Sequence, residues 1–560
     1  MRIPEQWLPE SVRCLRSYSR QDFGADLIAG ITVGLVALPL AMAFGIASGV
    51  PPQTGLYTAI IAGGLISLLG GSRMQIGGPT GAFVVIVAGV VAKFGVAGLA
   101  MITMMAGVLL ILMGLTGLGS AVKFIPRPVT IGFTNGIAVL IASTQIKDFL
   151  GLNTGPGEVP SSFIARMKVL AANAGTVHLP AVAVAVASLA LILLWPRVTK
   201  RIPGTIVALV AATAATQLFH LPVETIGSRF GGIPTGLPHI HIPEFRFDLI
   251  PILAPSALTV ALLGAIESLL SAVVGDNLSG GQHDSNTELV AQGLANLASP
   301  LFGGIPATGA IARTATNIRS GARTPVAGIV HALTLLFILL VAAPLARFVP
   351  LATLAAVLLV VAYNMGEWRE IGYIMRLARS AIAVWGVTFV LTVFADLTVA
   401  VEFGIVLAAL LYIYRISETT TVSLVTDDYL QAGGPHVLQG KTIPDYVTIV
   451  RIHGPFLFGS TSKLVEATED LNAFAPIVIL RLRNMTALDV TGLHAIESFA
   501  DRLHNSGREI LLCGARNQPA TLIERSDLYE HVGKESVLPH VDAALGRAQE
   551  IMATRTRNAG

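Results

Sequence analysis

Gly77-Gly78-Pro79-Thr80-Gly81-Ala82-Phe83 and Gly303-Gly304-Ile305-Pro306-Ala307-Thr308-Gly309-Ala310-Ile311 decide how this chain is read. Each runs Gly-Gly, proline, Thr-Gly-Ala and then a large apolar residue, and each lies among long apolar segments. Gly-Gly-Pro breaks a helix, whereas proline followed by small and apolar residues can start one. A helix that starts part-way across a bilayer leaves its first N–H groups without intrahelical partners. Two such ends facing each other form a positive site suited to an anion.

The surrounding composition is that of a membrane protein. Of 560 residues, 53% are hydrophobic and 13% charged, against about 25% charged in soluble domains; the mean hydropathy is +0.70. The net charge of +3 comes without a basic run, so nucleic acid is not an expected partner. Cys14 and Cys513 are far apart and show no zinc spacing, so neither a disulfide nor a metal site is expected, and no motif asks for a cofactor. Residues 1–24, with Arg2, Arg13, Arg16 and Arg20, lack the compact apolar core and cleavage site of a secretory signal and read as a cytoplasmic leader.

A crossing helix needs about 20 apolar residues and a half-helix fewer. Spans or part-spans fall near 26–48, 55–71, 79–94, 97–118, 128–147, 179–196 and 203–219, then near 253–275, 287–302, 306–317, 325–343, 350–364, 381–396 and 397–415. Seven and seven crossings insert with opposite topology, and the two Thr-Gly-Ala stretches occupy the third and tenth elements. Transporters built from inverted repeats place discontinuous helices and their binding site at such matching positions. Arg73, Lys123 with Arg127, Arg197 with Lys200 and Arg201, Arg319 with Arg323, and Arg369, Arg376 and Arg379 all fall on the side of the N-terminus. The positive-inside rule therefore puts both termini in the cytoplasm of a cell (inner) membrane protein. The loop 148–178, with Arg166 and Lys168 outside, is an exception; the loop 220–250, with Arg229 and Arg246, is a weaker contrast.

Residues 25–418 form the membrane domain on this reading, 419–440 a linker with a Gly-Gly-Pro turn at 433–435, and 441–555 a cytoplasmic domain. There, strand-like Tyr446–Ile452, Ile477–Leu482 and Glu509–Cys513 alternate with helical patterns, which gives a small α/β fold.

Glu267 sits well inside the eighth span, where a carboxylate must face protein or a water-filled cavity. Protonated, it carries a proton; ionised, it can ligate sodium with oxygens such as that of Ser271, one turn on. The competing role is an ion pair with Arg313, three residues beyond the second Thr-Gly-Ala. Arg313 opposes the local helix dipole, so an anion or Glu267 would reward it, unless it snorkels to cytoplasmic water. Asp276 and Asn277 read as interfacial caps, and His220, His239 and His241 as a solvated loop. No nucleophile–base pair, phosphate-binding lysine loop or paired carboxylates point to an enzyme.

Pro51-Pro52-Gln53-Thr54-Gly55-Leu56-Tyr57, Gly70–Arg73, Gly78-Pro79-Thr80, Gln292-Gly293-Leu294-Ala295-Asn296 and Gly303–Pro306, taken in order, resemble the SulP (sulfate permease) anion transporters. Asp489-Val490-Thr491-Gly492 after a strand is similar to their STAS domain. The resemblance implies fourteen segments as 7+7 inverted repeats with two half-helices, core and gate parts, an elevator-like shift, and a homodimer in membrane lipid. It implies that Thr80, the amides of Gly81, Ala82 and Phe83, and Thr308, Gly309, Ala310 and Arg313 hold the anion, and that Glu267 and Ser271 serve the coupling cation, H⁺ or Na⁺. Pro39-Leu40 stands where many sulfate-type members carry Pro-Gln, which makes the chain look more like dicarboxylate-transporting, DauA-like bacterial members, with sulfate and bicarbonate open. Thr491 matches a serine phosphorylated in free-standing STAS proteins; the other reading is that Asp489 and Thr491 cap a helix. A nucleobase permease, an anion channel, and a membrane anchor for a STAS module with a cytoplasmic protein partner are the rival readings.

Overall fold

The computed structural model describes residues 8–119, 126–155, 159–199, 202–234, 236, 238–243, 246–376, 379–395, 397–425 and 443–559. Arg2, Lys123, Lys200, Arg201 and the turn at 433–435 lie outside them. The chain divides into two compact units, Met1–Val406 and Leu407–Gly560.

The first unit is helical. After α1 (Glu10–Leu15) come α2 (Arg20–Ala47), α3 (Pro52–Leu69), α4 (Gly81–Leu115), α5 (Arg127–Leu150), α6 (Phe163–Ala172), α7 (Leu179–Val198), α8 (Gly204–Leu218) and α9 (Ile226–Phe230). The second half holds α10 (Ile250–Ser279), α11 (Ser285–Leu301), α12 (Ile311–Arg319), α13 (Val326–Ala346), α14 (Leu351–Met365), α15 (Trp368–Ile374), α16 (Arg379–Phe394) and α17 (Leu397–Thr419). Among the described residues, eight helices are long and apolar enough to cross a membrane. At 35 residues α4 would be about 52 Å long if continuous, well beyond a hydrocarbon core of ~30 Å. Gly95, at φ 69° and ψ −175°, breaks it into two segments, 81–94 and 96–115. All fourteen expected spans are thereby helical in whole or in large part.

The packing repeats with inverted order. α2 packs on α13 as α4 packs on α10; α3 packs on α13 as α11 packs on α4; α5 packs on α16 as α7 packs on α14. These are the pairings produced when each helix of the first half maps onto the helix seven crossings later. α2, α3, α4 and α10–α13 form one bundle, and α5–α8 with α14–α16 form a second. Small residues bring backbones together, as at α4 and α11, where a Cβ on Gly107 or on Gly293 would lie 2.8 or 2.5 Å from the other's carbonyl oxygen.

Two buried carboxylates lock loops to the first bundle. Asp26 accepts from the amides of Arg323 (2.7 Å) and Thr324 (3.1 Å), from the Thr324 hydroxyl (2.5 Å) and from Tyr18 (3.1 Å). Glu288 accepts from the Ser72 amide (3.1 Å) and Gln292 (2.8 Å). Arg166, the exception to the charge rule, is buried on α6 and donates to Ser143 (2.8 Å) and to the carbonyls of Pro160 and Ser161. It contributes little exposed charge to its loop.

The second unit carries a five-stranded sheet in the order β3-β4-β5-β6-β7, with β3 (Thr421–Leu424) antiparallel to β4 (Val447–Phe456). β4, β5 (Ile477–Leu488), β6 (Glu509–Cys513) and β7 (Val537–Leu538) run parallel. Around it lie α18 (Ser462–Ala467), α19 (Val490–Asn505), α20 (Asn517–Glu524), α21 (Leu528–Val532) and α22 (Val541–Ala559). Val450, Ile452, Val478, Leu480 and Leu512 pack on one face with Ile496 and Phe499 of α19. Ile449, Ile477, Ile479 and Leu511 pack on the other with Val541, Ala544 and Ala548 of α22.

Candidate functional site

The two Thr-Gly-Ala stretches meet. β1 (Gly77–Gly78) pairs antiparallel with β2 (Thr308–Gly309), Gly77 opposite Gly309 and Gly78 opposite Thr308. Glycine is required for this approach: a Cβ on Gly77 would lie 2.3 Å from Ile66 Cδ1, and one on Gly309 1.7 Å from Gln75 Nε2. Because the strands are antiparallel, α4 and α12 leave the crossing in opposite directions, and both N-terminal ends point back at it.

Neither end is capped by a side chain: Thr80 precedes α4, Ala310 precedes α12, and neither accepts from the first turn. The amides of Gly81, Ala82, Phe83, Ile311, Ala312 and Arg313 have no acceptor among the described residues. Six N–H groups and two positive helix ends thus converge on one small region. The second half-helix begins at Ile311 rather than near 306, because Ala307–Ala310 run extended to make the strand pair; Ala310 N–H donates to Ile76 O (2.8 Å).

Thr80 donates its hydroxyl to the Glu267 carboxylate (2.8 Å), a bond between residues 187 apart in sequence. Arg313 is 3% exposed, so it does not snorkel, and it donates through Nη2 to the carbonyl of Pro79. The direct Arg313–Glu267 ion pair is not formed. Arg313 Nη1 has no partner and lies 2.7 Å from where a Gly78 Cβ would sit. A buried, always-charged group with one nitrogen unsatisfied is costly unless a counter-charge arrives.

Other expected residues serve the frame. Thr308 donates to Gly264 O (3.0 Å) on α10, and Ser271 meets the Thr314 hydroxyl (3.0 Å), which in turn accepts from Ile76 N–H (3.1 Å). No Ser271–Glu267 hydrogen bond is formed. Asp276 accepts from His283 Nδ1 (2.6 Å) and His283 N–H (3.1 Å), closing the α10–α11 turn. The histidines 220, 239 and 241 are exposed. In the second unit Asp489 alone caps α19, accepting from Gly492 N–H (2.7 Å), while Thr491 stays exposed.

The sequence reading missed Gln75 and His331. Both are buried, and both polar atoms of each side chain lack partners. For His331 a polar side chain within an apolar run was the available signal, the same one that singled out Glu267; Gln75, in the loop Gly70–Gly78, carried no such signal. The Gly81 end of the site faces the second bundle: its Cβ position is 2.8 Å from Ile141 Cδ1 of α5 and 3.0 Å from Met365 Sδ of α14, with Phe44 of α2 at 3.5 Å. Apolar groups from α5 and α14 therefore cover a polar, positive centre held by the first bundle.

Comparison with known proteins agrees with this architecture. A model of the sulfate permease family matches residues 23–388, and one of the STAS domain matches 440–544. YvdB of Bacillus subtilis, which carries a provisional sulfate-transporter name, is 43% identical over 95% of this chain and 99% of its own length. The bicarbonate transporter BicA of Picosynechococcus is 31% identical over 93% of this chain and 94% of its own. The solved transmembrane domain of a cyanobacterial BicA has 33% identity and a TM-score of 0.61, covering 70% of this chain and 98% of that one. The structure of SLC26A9, at 19% identity, shares the fold over 99% of this chain and 94% of its own, with a TM-score of 0.87.

Proposed function

The chain belongs to the sulfate permease family, and we propose that it is a secondary active transporter of a small oxyanion or carboxylate, coupled to H⁺ or Na⁺. The observation that carries this reading is the convergence of two uncapped half-helix ends on a buried arginine with an unsatisfied nitrogen. With Glu267 held on Thr80 and not paired with Arg313, the open amides and Arg313 Nη1 are left without an acceptor. An anion there would accept from the amides of Gly81, Ala82 and Phe83, from those of Ile311 and Ala312, and from Arg313.

Thr80 and Glu267 supply the coupling in this reading. Thr80 stands at the N-cap position, where a free hydroxyl would accept from its own helix's amides. Donating to Glu267 instead, it leaves those amides open to the anion. Protonation of Glu267, or a sodium ion on it, changes that bond and adds a positive charge beside the site. Ser271 and Thr308 then act at one remove, by holding α10 against α12 and β2, and Gly309 and Ala310 shape the approach. The covering side chains of α5 and α14 fit an elevator-type cycle, in which the first bundle carries the site past the second.

Sulfate, bicarbonate and C4-dicarboxylates are the candidate cargoes. Relatives named for bicarbonate favour testing it first. We place the transport domain at 25–418, the STAS domain at 441–555, and both termini in the cytoplasm of the inner membrane, the protein acting as a homodimer. Purified protein in liposomes, given sulfate, bicarbonate, succinate or fumarate at two pH values, tests the function. Concentrative uptake driven by an imposed proton or sodium gradient is expected; purely passive flux would sink coupling and favour a channel.

A further inference from the structure

The second unit holds a cluster that transport does not use. Arg451, Arg481 and Cys513 are register neighbours on β4, β5 and β6. Upstream on this face of the sheet, Ile477, Ile479 and Leu511 pack under α22. At Arg481 the apolar surface gives way to a small cleft lined by Arg481, Arg483, Cys513, Gly514, Arg516 and His540.

Arg481 is only 6% exposed, and it makes no hydrogen bond or ion pair among the described residues. Arg483 and Arg516, both exposed, line the cleft mouth and likewise lack a carboxylate partner. The N-termini of α20 and α22 open on the same cleft, so like charge meets like charge. His540 accepts from Ala543 N–H (3.1 Å) through Nδ1. Burial pushes the Cys513 thiol up to about 12, so it supplies no negative charge at neutral pH. Asp542 lies in the first turn of α22 but does not line the cleft. The Arg481 guanidinium opens onto the cleft and meets no protein acceptor, and three arginines lining one cleft repel one another, so the component that would satisfy them is an anion. The cleft also opens beside the carboxyl ends of parallel strands β6 and β7, where open α/β sheets bind ligands.

We propose that this cleft is an oxyanion-binding site, in which Arg481 at the base and Arg483 and Arg516 at the rim hold a sulfate- or phosphate-sized group. The cavity, about 30 Å³, admits a single tetrahedral group and leaves any larger moiety outside. Free sulfate or phosphate and the terminal phosphate of a nucleotide share this chemistry. The site is separate from Thr491, and it stands whether or not the transport reading holds.

Hydrogen exchange of the full-length protein in detergent tests it, because exchange reports the two units separately. Inorganic phosphate should slow exchange several-fold in peptides covering 514–518 and 540–545. Arg481→Met should abolish that protection, and Arg516→Ala, which alters an exposed residue making no cap bond, should weaken it. Protection by phosphate or sulfate alone identifies a free anion; protection by AMP at far lower concentration identifies a nucleotide's phosphate. Slow exchange of 477–480 in both variants verifies that the sheet is intact. No protection in the native protein, or the same protection in both variants with the sheet intact, overturns the proposal.

Discussion

The two half-helix ends share a backbone and differ in every side chain that matters. Each follows a two-residue strand, begins two or three residues after that strand ends, and offers three unpartnered amides. Yet α4 starts at a threonine and brings no charge, whereas α12 starts at an alanine and carries Arg313 on its first turn. Each half also anchors its functional side chain on the other: Thr80 reaches Glu267 of the second half, and Arg313 reaches Pro79 of the first. The fold is a repeat, but the chemistry is an interlock. Anion affinity and cation dependence are therefore expected to divide unequally between the halves.

Removing the charge should have the largest effect. Arg313→Gln is expected to cost about 2–5 kcal/mol of anion binding, roughly 30-fold or more in half-saturating concentration, with Arg313→Lys intermediate because an ammonium cannot span Pro79 O and the anion as a fork. Uptake by proteoliposomes checks this, and wild-type affinity in Arg313→Gln would locate the anion elsewhere. Next, Glu267→Gln should keep anion binding but remove the dependence of uptake on the cation gradient. Binding measured without a gradient, beside uptake with one, separates the two, and unchanged gradient dependence removes Glu267 from the mechanism.

The crossing itself offers a smaller test. Gly309→Ala should cost about 1–3 kcal/mol of stability through overpacking against Gln75. Gln75→Ala should restore much of it, since the clash is with the end of a side chain. Thermal unfolding of the three variants reads the effect; no rescue would mean that the strand pair needs Gln75 itself.

Much of this was legible before any coordinates. Apolar run lengths gave the fourteen spans, and two Gly-Gly…Thr-Gly-Ala stretches at equivalent positions marked the crossing. What stayed hidden is long-range. Nothing near Thr80 announces Glu267, 187 residues away, and periodicity does not report which hydroxyl faces which carboxylate. The same limit made Ser271 look like Glu267's partner, because one helical turn separates them, whereas Ser271 bonds across to Thr314. Pro306 looks like a helix start in the sequence because a strand of two residues is too short to leave a pattern.

The mildest change bears most directly on how the ends differ. Ala310→Ser adds a hydroxyl at the N-cap of α12, and no carboxylate is bonded there to draw it away as Glu267 draws Thr80. The new oxygen should accept from the first-turn amides of α12, stabilising the protein by about 0.5–2 kcal/mol. Those are amides an anion would use, so affinity should fall a few-fold as thermal stability rises. Thr80→Ala makes the converse case on α4: it removes a hydroxyl that caps nothing, so it should leave anion affinity nearly intact while altering cation dependence. Opposite signs for stability and affinity in Ala310→Ser would show that the open amides are held for a ligand. A parallel rise in both would mean that the second half-helix end is structural, and that Arg313 acts without it.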